Sequence, residues 1–192
     1  RRTGNQTCER LFVSECQLGI GAEVVAGVGM AHKRAGGKVA FGAAAVHQAF
    51  TFKSFSSKIL VDGDREFNGR FIGLTIGNGS SCAGGMRLTP QARPDDGIFD
   101  VLLMREMTIG RRLQGLSKAY AGAHLRLPFF SVEQGRGFEI DSVEEVLVAA
   151  DGELLGTTPC SCFVLDEKLR VKGRLPPMEG GHEQACCRPS EA

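Results

Sequence analysis

No apolar run in this sequence is long enough to cross a bilayer. The longest mostly apolar stretches, Ile20–Met30 and Val39–Phe52, are rich in glycine and alanine or broken by His47 and Gln48, and fall short of the roughly 18 residues a spanning helix needs. Charge of one sign is lacking too: 23 Lys and Arg stand against 22 Asp and Glu, a net charge of +1. There is therefore no global field to hold nucleic acid or an anionic bilayer, and any membrane or phosphate contact must be local. The seven cysteines make an odd count without framework spacing, which fits reduced thiols in the cytosol rather than a disulfide scaffold. Cys160 and Cys162 alternate as two thiols on one face of a strand, with no paired Cys/His knuckle beside them to form a zinc site. The chain opens Arg1-Arg2-Thr3-Gly4, without an initiator Met or an apolar signal segment, and is expected to be a piece of something longer. No 20 to 50-residue repeat and no Walker loop is present, and Gly77-Asn78-Gly79-Ser80-Ser81-Cys82 fails the dinucleotide fingerprint because cysteine replaces its third glycine.

What is there fits one ordinary globular domain: 192 residues, 42% of them apolar. Strand-like runs are expected at Arg10–Ser14, Ser57–Val61, Gly69–Ile76, Ile98–Met104, Gly137–Ile140, Glu145–Ala149, Cys160–Leu165 and Leu169–Val171. Gly19–Val25 reads as a glycine-flexed turn leading into another element. Two helices are expected, an Ala-rich one over Gly37–Phe52 and an amphipathic one over Met107–Tyr120 with Thr108 as its N-cap. Short strands without regular βα alternation argue against a doubly wound sheet. The expected class is mainly β with flanking helices, an α+β domain over residues 1–176, followed by a disordered tail over 177–192.

Three clusters could carry chemistry. The glycines of Asn78–Met86 permit positive φ and close approach of a backbone or a phosphate, although a plain interstrand turn explains them as well. Pro90–Asp100 holds three carboxylates, Asp95, Asp96 and Asp100, in six residues. Carboxylate and carbonyl oxygens are what hard cations take, but a solvated Asp-Asp-Gly turn has the same spacing. Asp151-Gly152-Glu153 follows an apolar strand and could supply a base with a second carboxylate to orient it; the alternative is an Asp-Gly hairpin turn, of which Asp62-Gly63-Asp64 is an example in the same chain.

Gly19-Ile-Gly-Ala-Glu23, Ile76-Gly-Asn-Gly79, the block Gly84–Asp100, Gly122-Ala-His124 and Asp151-Gly-Glu153, in this order and spacing, resemble the C-terminal domain of the diacylglycerol kinase-like lipid kinases. That family includes the bacterial soluble diacylglycerol kinases, with sphingosine and ceramide kinases as eukaryotic relatives. The resemblance runs from about Arg10 to Pro176 and implies the β-sandwich-like C-terminal lobe of the lipid kinase and NAD kinase-like fold. It implies transfer of phosphate from ATP to a lipid hydroxyl, of diacylglycerol, a sphingoid base or a similar alcohol, in a two-lobed cytoplasmic enzyme at the membrane periphery. By position, Asp151 matches a proposed general base and Glu153 its supporting carboxylate. Asp96, with the carbonyls of Arg93 and Ile98, matches a structural Mg²⁺ site. Nucleic acid is not an expected partner, and a homodimer is compatible with the pattern.

The Gly-Gly-Asp-Gly-Thr motif of the family's ATP lobe does not occur in this sequence. The expectation is thus a substrate-side lobe that is inactive alone and works with an ATP lobe in cis or trans; the rival is a non-catalytic lipid-binding or partner-docking module derived from it. Two departures touch the lobe surface: Ser14 stands in Phe12-Val13-Ser14 where relatives often carry Asn, and Cys82-Ala83 where an aromatic residue and a glycine are frequent. His124, alone, reads more readily as a structural hydrogen-bonding residue than as an acid or base.

Overall fold

The computed structural model describes residues 9–31, 37–82, 85–167 and 169. The expected tail over 177–192 and most of the Leu169–Val171 run lie outside the described residues. The elements are β1 (Glu15–Gly19), α1 (Ile20–Ala31), α2 (Gly37–Thr51), β2 (Phe55–Val61), β3 (Arg65–Gly77), β4 (Phe99–Arg105), α3 (Ile109–Ala119), a 3₁₀ turn (Ala123–Arg126), β5 (Phe130–Gly135), β6 (Gly137–Ser142), β7 (Leu147–Ala150), β8 (Glu153–Thr157) and β9 (Cys160–Phe163).

The long strand β3 makes this a sandwich. Its first half pairs with β2, extending through β6 to β9. After a register shift between Phe71 and Gly73, its second half lies between β4 and β1, and that sheet runs on from β4 to β5 and from β1 through β7 to β8. An irregularity in one strand lets it serve two sheets, the usual way of turning a sandwich corner. All the pairings are antiparallel.

Between the sheets lie the alternating apolar residues of each strand: Cys16 and Leu18, Ile59 and Val61, Leu74 and Ile76, Val101 and Leu103, Phe138 and Ile140, with Phe71 at the corner. Burying one such side chain contributes about 1.5 to 3 kcal/mol. Strand β4 is buried on both faces, because its even positions Leu102 and Met104 meet Ile72 and Met107 in a second cluster on the outer, helix-bearing side. This explains why its sequence reads as an unbroken apolar run.

Four sequence expectations need correction. Arg10–Ser14 is not a strand: pairing begins at Glu15, because the N–H groups of Val13 and Ser14 are taken by the Asp151 carboxylate instead of a neighbouring strand. Gly19–Val25 is mostly helix. Gly19 alone makes the turn, at φ +72°, and a Cβ there would lie 2.7 Å from the Phe55 ring and 2.8 Å from the Ile72 carbonyl. Strands β5 and β8 were not expected, since Phe130–Gly135 and Glu153–Thr157 are polar edge strands with little alternation. Thr108 occupies the N-cap of α3 in extended conformation, yet its hydroxyl makes no capping hydrogen bond.

Candidate functional site

The starts of β1 and β8 and the end of β3 meet at one edge of the second sheet, where antiparallel pairing places Glu15 beside Gly77 and Cys16 beside Ala150. Asp151 and Gly152 close the β7–β8 hairpin at φ +47° and +84°. This turn needs two left-handed residues in succession, which Asp-Gly provides at low cost. The left-handed turn aims the carboxylate back across β1. Asp151 Oδ2 accepts from the Val13 N–H at 2.7 Å, and Oδ1 accepts from Ser14 and Glu15 at 2.9 and 3.0 Å. The Asp151 N–H in turn donates to the Glu15 carbonyl at 3.0 Å.

The glycine segment closes the other side of this edge. Asn78 Nδ2 donates to the Val13 carbonyl at 2.8 Å, and the N–H groups of Asn78 and Gly79 converge on the Ser14 carbonyl at 2.9 and 3.1 Å. Backbone approach, one of the two uses foreseen for these glycines, is thus what they permit here. Gly77 must be glycine, because a Cβ would lie 2.1 Å from Thr89 Oγ1, and that hydroxyl donates to the Gly79 carbonyl. The side-chain amide that reaches the segment before β1 is that of Asn78.

Sequence reasoning missed Glu15. Its side chain lies between Cys82, Gln17 and Asp151, and Oε2 is sealed from solvent without a hydrogen-bond partner among the described residues. Burial pushes its carboxyl above the usual glutamate range, and the nearby Asp151 charge adds to this, against hydrogen bonds with Cys82 and Gln17. A glutamate just before an apolar strand carries no sequence signal; only the meeting of β1, β3 and β7 buries it. Burial beside Glu15 also pushes the Cys82 thiol up, so it is no ready nucleophile.

Glu153 is exposed at the start of β8 and pairs with Ala150 across the hairpin. The carboxylates of the Pro90–Asp100 cluster separate. Asp100 is buried and accepts from Gln134 Nε2 at 2.6 Å, whereas Asp95 and Asp96 are exposed. Asp96 Oδ1 accepts from the Ile98 N–H at 3.1 Å, Gly97 turns the chain at φ +77°, and Arg93 pairs with Asp95 at 3.5 Å. No group of three His, Cys, Asp or Glu side chains among the described residues could hold a metal. A site on this loop must draw on carbonyls, and Asp96 keeps its second carboxylate oxygen for such a set. In donor chemistry the Arg93–Ile98 loop fits a hard cation.

His124 is fully buried, with Nε2 on the Leu88 carbonyl at 3.1 Å and its ring edge against Phe130. Burial holds it below the usual histidine range. Cys16, Cys160 and Cys162 belong to the central core, with Cys160 at its margin. Two shallow clefts of about 350 and 680 Å³ flank the Phe52–Phe55 segment, at the opposite end of β1 and β7 from Asp151. No helix of the described residues is long and apolar enough to cross a membrane.

A bent-strand sandwich carrying a polar edge at the β1–β7 junction defines the class of domain, and comparison with known proteins names it. Residues 14–173 match the family described as the YegS C-terminal NAD kinase beta sandwich-like domain, and the chain belongs to that family. It is 28% identical over 105 residues to the diacylglycerol kinase of Staphylococcus carnosus, covering 55% of this chain and 34% of that protein. A YegS-like candidate lipid kinase of Pseudomonas aeruginosa is 32% identical over 145 residues, covering 69% and 45%. The fold resembles that of a Bacillus anthracis protein described as a candidate diacylglycerol kinase, with a TM-score of 0.60 at 22% identity over 78% of this chain and 49% of that one. The chain thus spans between about a third and a half of the length of these relatives.

Proposed function

We propose that this chain is the lipid-side lobe of a lipid kinase that transfers the γ-phosphoryl group of ATP to a lipid hydroxyl, working with an ATP-binding lobe in the same or another chain. The reading is carried by Asp151, a carboxylate held by neutral N–H donors at the domain edge in a family whose named relatives are lipid kinases. Three N–H bonds fix the orientation of its carboxylate at the turn. Oδ1 receives two of them and Oδ2 only one, which leaves a lone pair of Oδ2 for a hydroxyl proton. In this scheme the lipid O–H gives its proton to Asp151, its oxygen bonds to the γ-phosphorus, and ADP leaves. Glu153 supports the base from the exposed side of the turn. Mg²⁺ at Asp96 and the carbonyls of Arg93 and Ile98 would be structural, a hard cation stiffening the loop before β4. Diacylglycerol and sphingoid bases are both within the proposed range.

A second reading, a lipid-binding or partner-docking module without turnover, draws on the same three bonds, since holding Val13–Glu15 is a sufficient structural task for Asp151. Transfer of labelled phosphate from ATP to diacylglycerol or sphingosine separates the two, measured for the chain alone and fused to the ATP lobe of a relative. The kinase reading expects no product from the chain alone, because positioning is the main catalytic term in phosphoryl transfer, and product from the fusion. Vesicle binding by a fusion that makes no product leaves the module reading.

A further inference from the structure

The near-neutral net charge hides a strong asymmetry. Residues 78–94 and 107–132 contain no Asp or Glu, but six cations: Arg87, Arg93, Arg111, Arg112, Lys118 and Arg126. With the whole chain at +1, everything else is net acidic. The fold brings these two segments together. The Arg87 N–H donates to the Ala119 carbonyl at 2.9 Å, His124 bonds the Leu88 carbonyl, and Gly122 packs on Pro90.

Arg111 and Lys118 are seven residues apart and fall on one stripe of α3. Arg111 lies over the Phe129 ring at 4.2 Å, beside the 3₁₀ turn that carries Arg126. Arg87, Arg111 and Arg126 are exposed, and none of these three or Lys118 forms an ion pair among the described residues. The nearest acids in sequence pair with groups other than these four: Glu106 with Ser54 and Arg70, Glu133 with Arg65, Asp95 with Arg93. Tyr120 is 54% exposed at the end of α3, and Pro128 is exposed beyond the 3₁₀ turn. Unpaired cations around an amphipathic aromatic ring and an apolar rim suit a headgroup layer, where charge meets lipid phosphates and the ring enters the interface.

We infer that the face formed by α3, the 3₁₀ turn and Arg87 is the surface with which this domain docks on an anionic bilayer. Docking stands apart from the proposed phosphoryl transfer, because it is read without turnover.

The experiment is co-sedimentation of the chain with vesicles of phosphatidylcholine alone and of phosphatidylcholine mixed with phosphatidylserine. Wild type should partition to the mixed vesicles and be released by high salt. Arg87→Glu, Lys118→Glu and Arg126→Glu should each lower the partition coefficient by about fivefold or more, and the triple variant by about a hundredfold. Lys58→Glu, which makes the same charge change on β2 of the other sheet, should bind nearly as wild type. Neutral Gln variants at the three positions repeat the test with little risk to folding, and thermal midpoints verify it. Wild type with no preference for the mixed vesicles overturns the proposal. So does triple-variant binding at the wild-type level, and so does tighter binding of a short RNA or DNA duplex than of the vesicles through these residues, which would make the face a nucleic-acid surface.

Discussion

Asp62-Gly63 and Asp151-Gly152 are nearly the same object. Each closes an antiparallel hairpin with both residues left-handed, at φ +53° and +80° in the first and +47° and +84° in the second. Each also sends its carboxylate to N–H groups of a distant segment. Asp62 Oδ1 accepts from Arg136 and Gly137 at 2.8 and 2.9 Å, fastening the start of β6, while Asp151 fastens the entry to β1. The difference is electrical. Asp62 has Arg65 at 3.1 Å, and the Gly137 and Arg136 N–H groups together with that guanidinium hold its carboxyl below the usual range. Asp151 has no cation partner among the described residues and shares its edge with the half-buried Glu15 carboxyl. Asp62 is a staple closed by its own cation, whereas Asp151 is held by backbone N–H groups alone among the described residues. Local sequence makes the turn, and the surroundings decide what the turn can do.

The sharpest way to break this comparison is kinetic. In a protein that contains both lobes, Asp151→Asn should lower the initial rate of lipid phosphorylation at saturating ATP by about 100-fold or more, the usual scale of a general base, at a temperature where thermal midpoints show both proteins folded. Asp62→Asn should leave that rate within about twofold of wild type. Wild-type turnover in Asp151→Asn would make the two turns equivalent and move the search for a base to the other lobe. Glu153→Gln should show a smaller defect than Asp151→Asn, as befits a group on the outer side of the turn.

Asp96-Gly97 extends the comparison to a third Asp-Gly turn whose carboxylate serves its own loop. Calorimetry with Mg²⁺ should find affinity weakened by about tenfold in Asp96→Asn, with an unaltered midpoint in the absence of metal. Equal affinity in both proteins would leave Asp96 as a turn residue only. For the staple itself, Asp62→Ala should cost about 1 to 2 kcal/mol in urea unfolding at neutral pH, since two N–H groups lose their acceptor. The wild-type advantage over this variant is present above the ordinary aspartate range. It disappears as pH falls through the lowered Asp62 value, because protonation removes the charge those donors favour.

The smallest effect has the opposite sign. Glu15 binds its proton more tightly folded than unfolded, so the wild type loses stability relative to Glu15→Gln as pH rises from the ordinary glutamate range through the raised value. Above that window Glu15→Gln should melt roughly 2 to 4 °C higher, as expected for relief of about 1 kcal/mol in a domain of this size. A variant that melts lower at every pH would show that Glu15 is stabilised by its neighbours, and the edge would then lack its strained carboxyl.

The sequence alone was enough for the class of fold and for the middle strands. β2, β3 and β4 carry alternating or continuous apolar residues whose period is local, and the Asp-Gly pairs announce their turns because φ above zero is a property of the residue itself. The motif order singled out Asp151 and Asp96 as candidates, and the structure adds the contacts each one makes. The bend at Phe71, where one strand serves two sheets, was not legible, nor were the polar edge strands β5 and β8, whose pairing depends on partners that arrive from elsewhere in the chain. Tertiary structure alone decided that Val13 to Glu15 give their N–H groups to Asp151 and that Glu15 is buried beside it. It also decided that Asp100 turns away from Asp95 and Asp96 to Gln134, and that cations some thirty residues apart share one face. Burial and charge environment belong to the assembled neighbourhood, and a carboxylate's chemistry follows the donors, charges and solvent around it, which no single stretch of sequence contains.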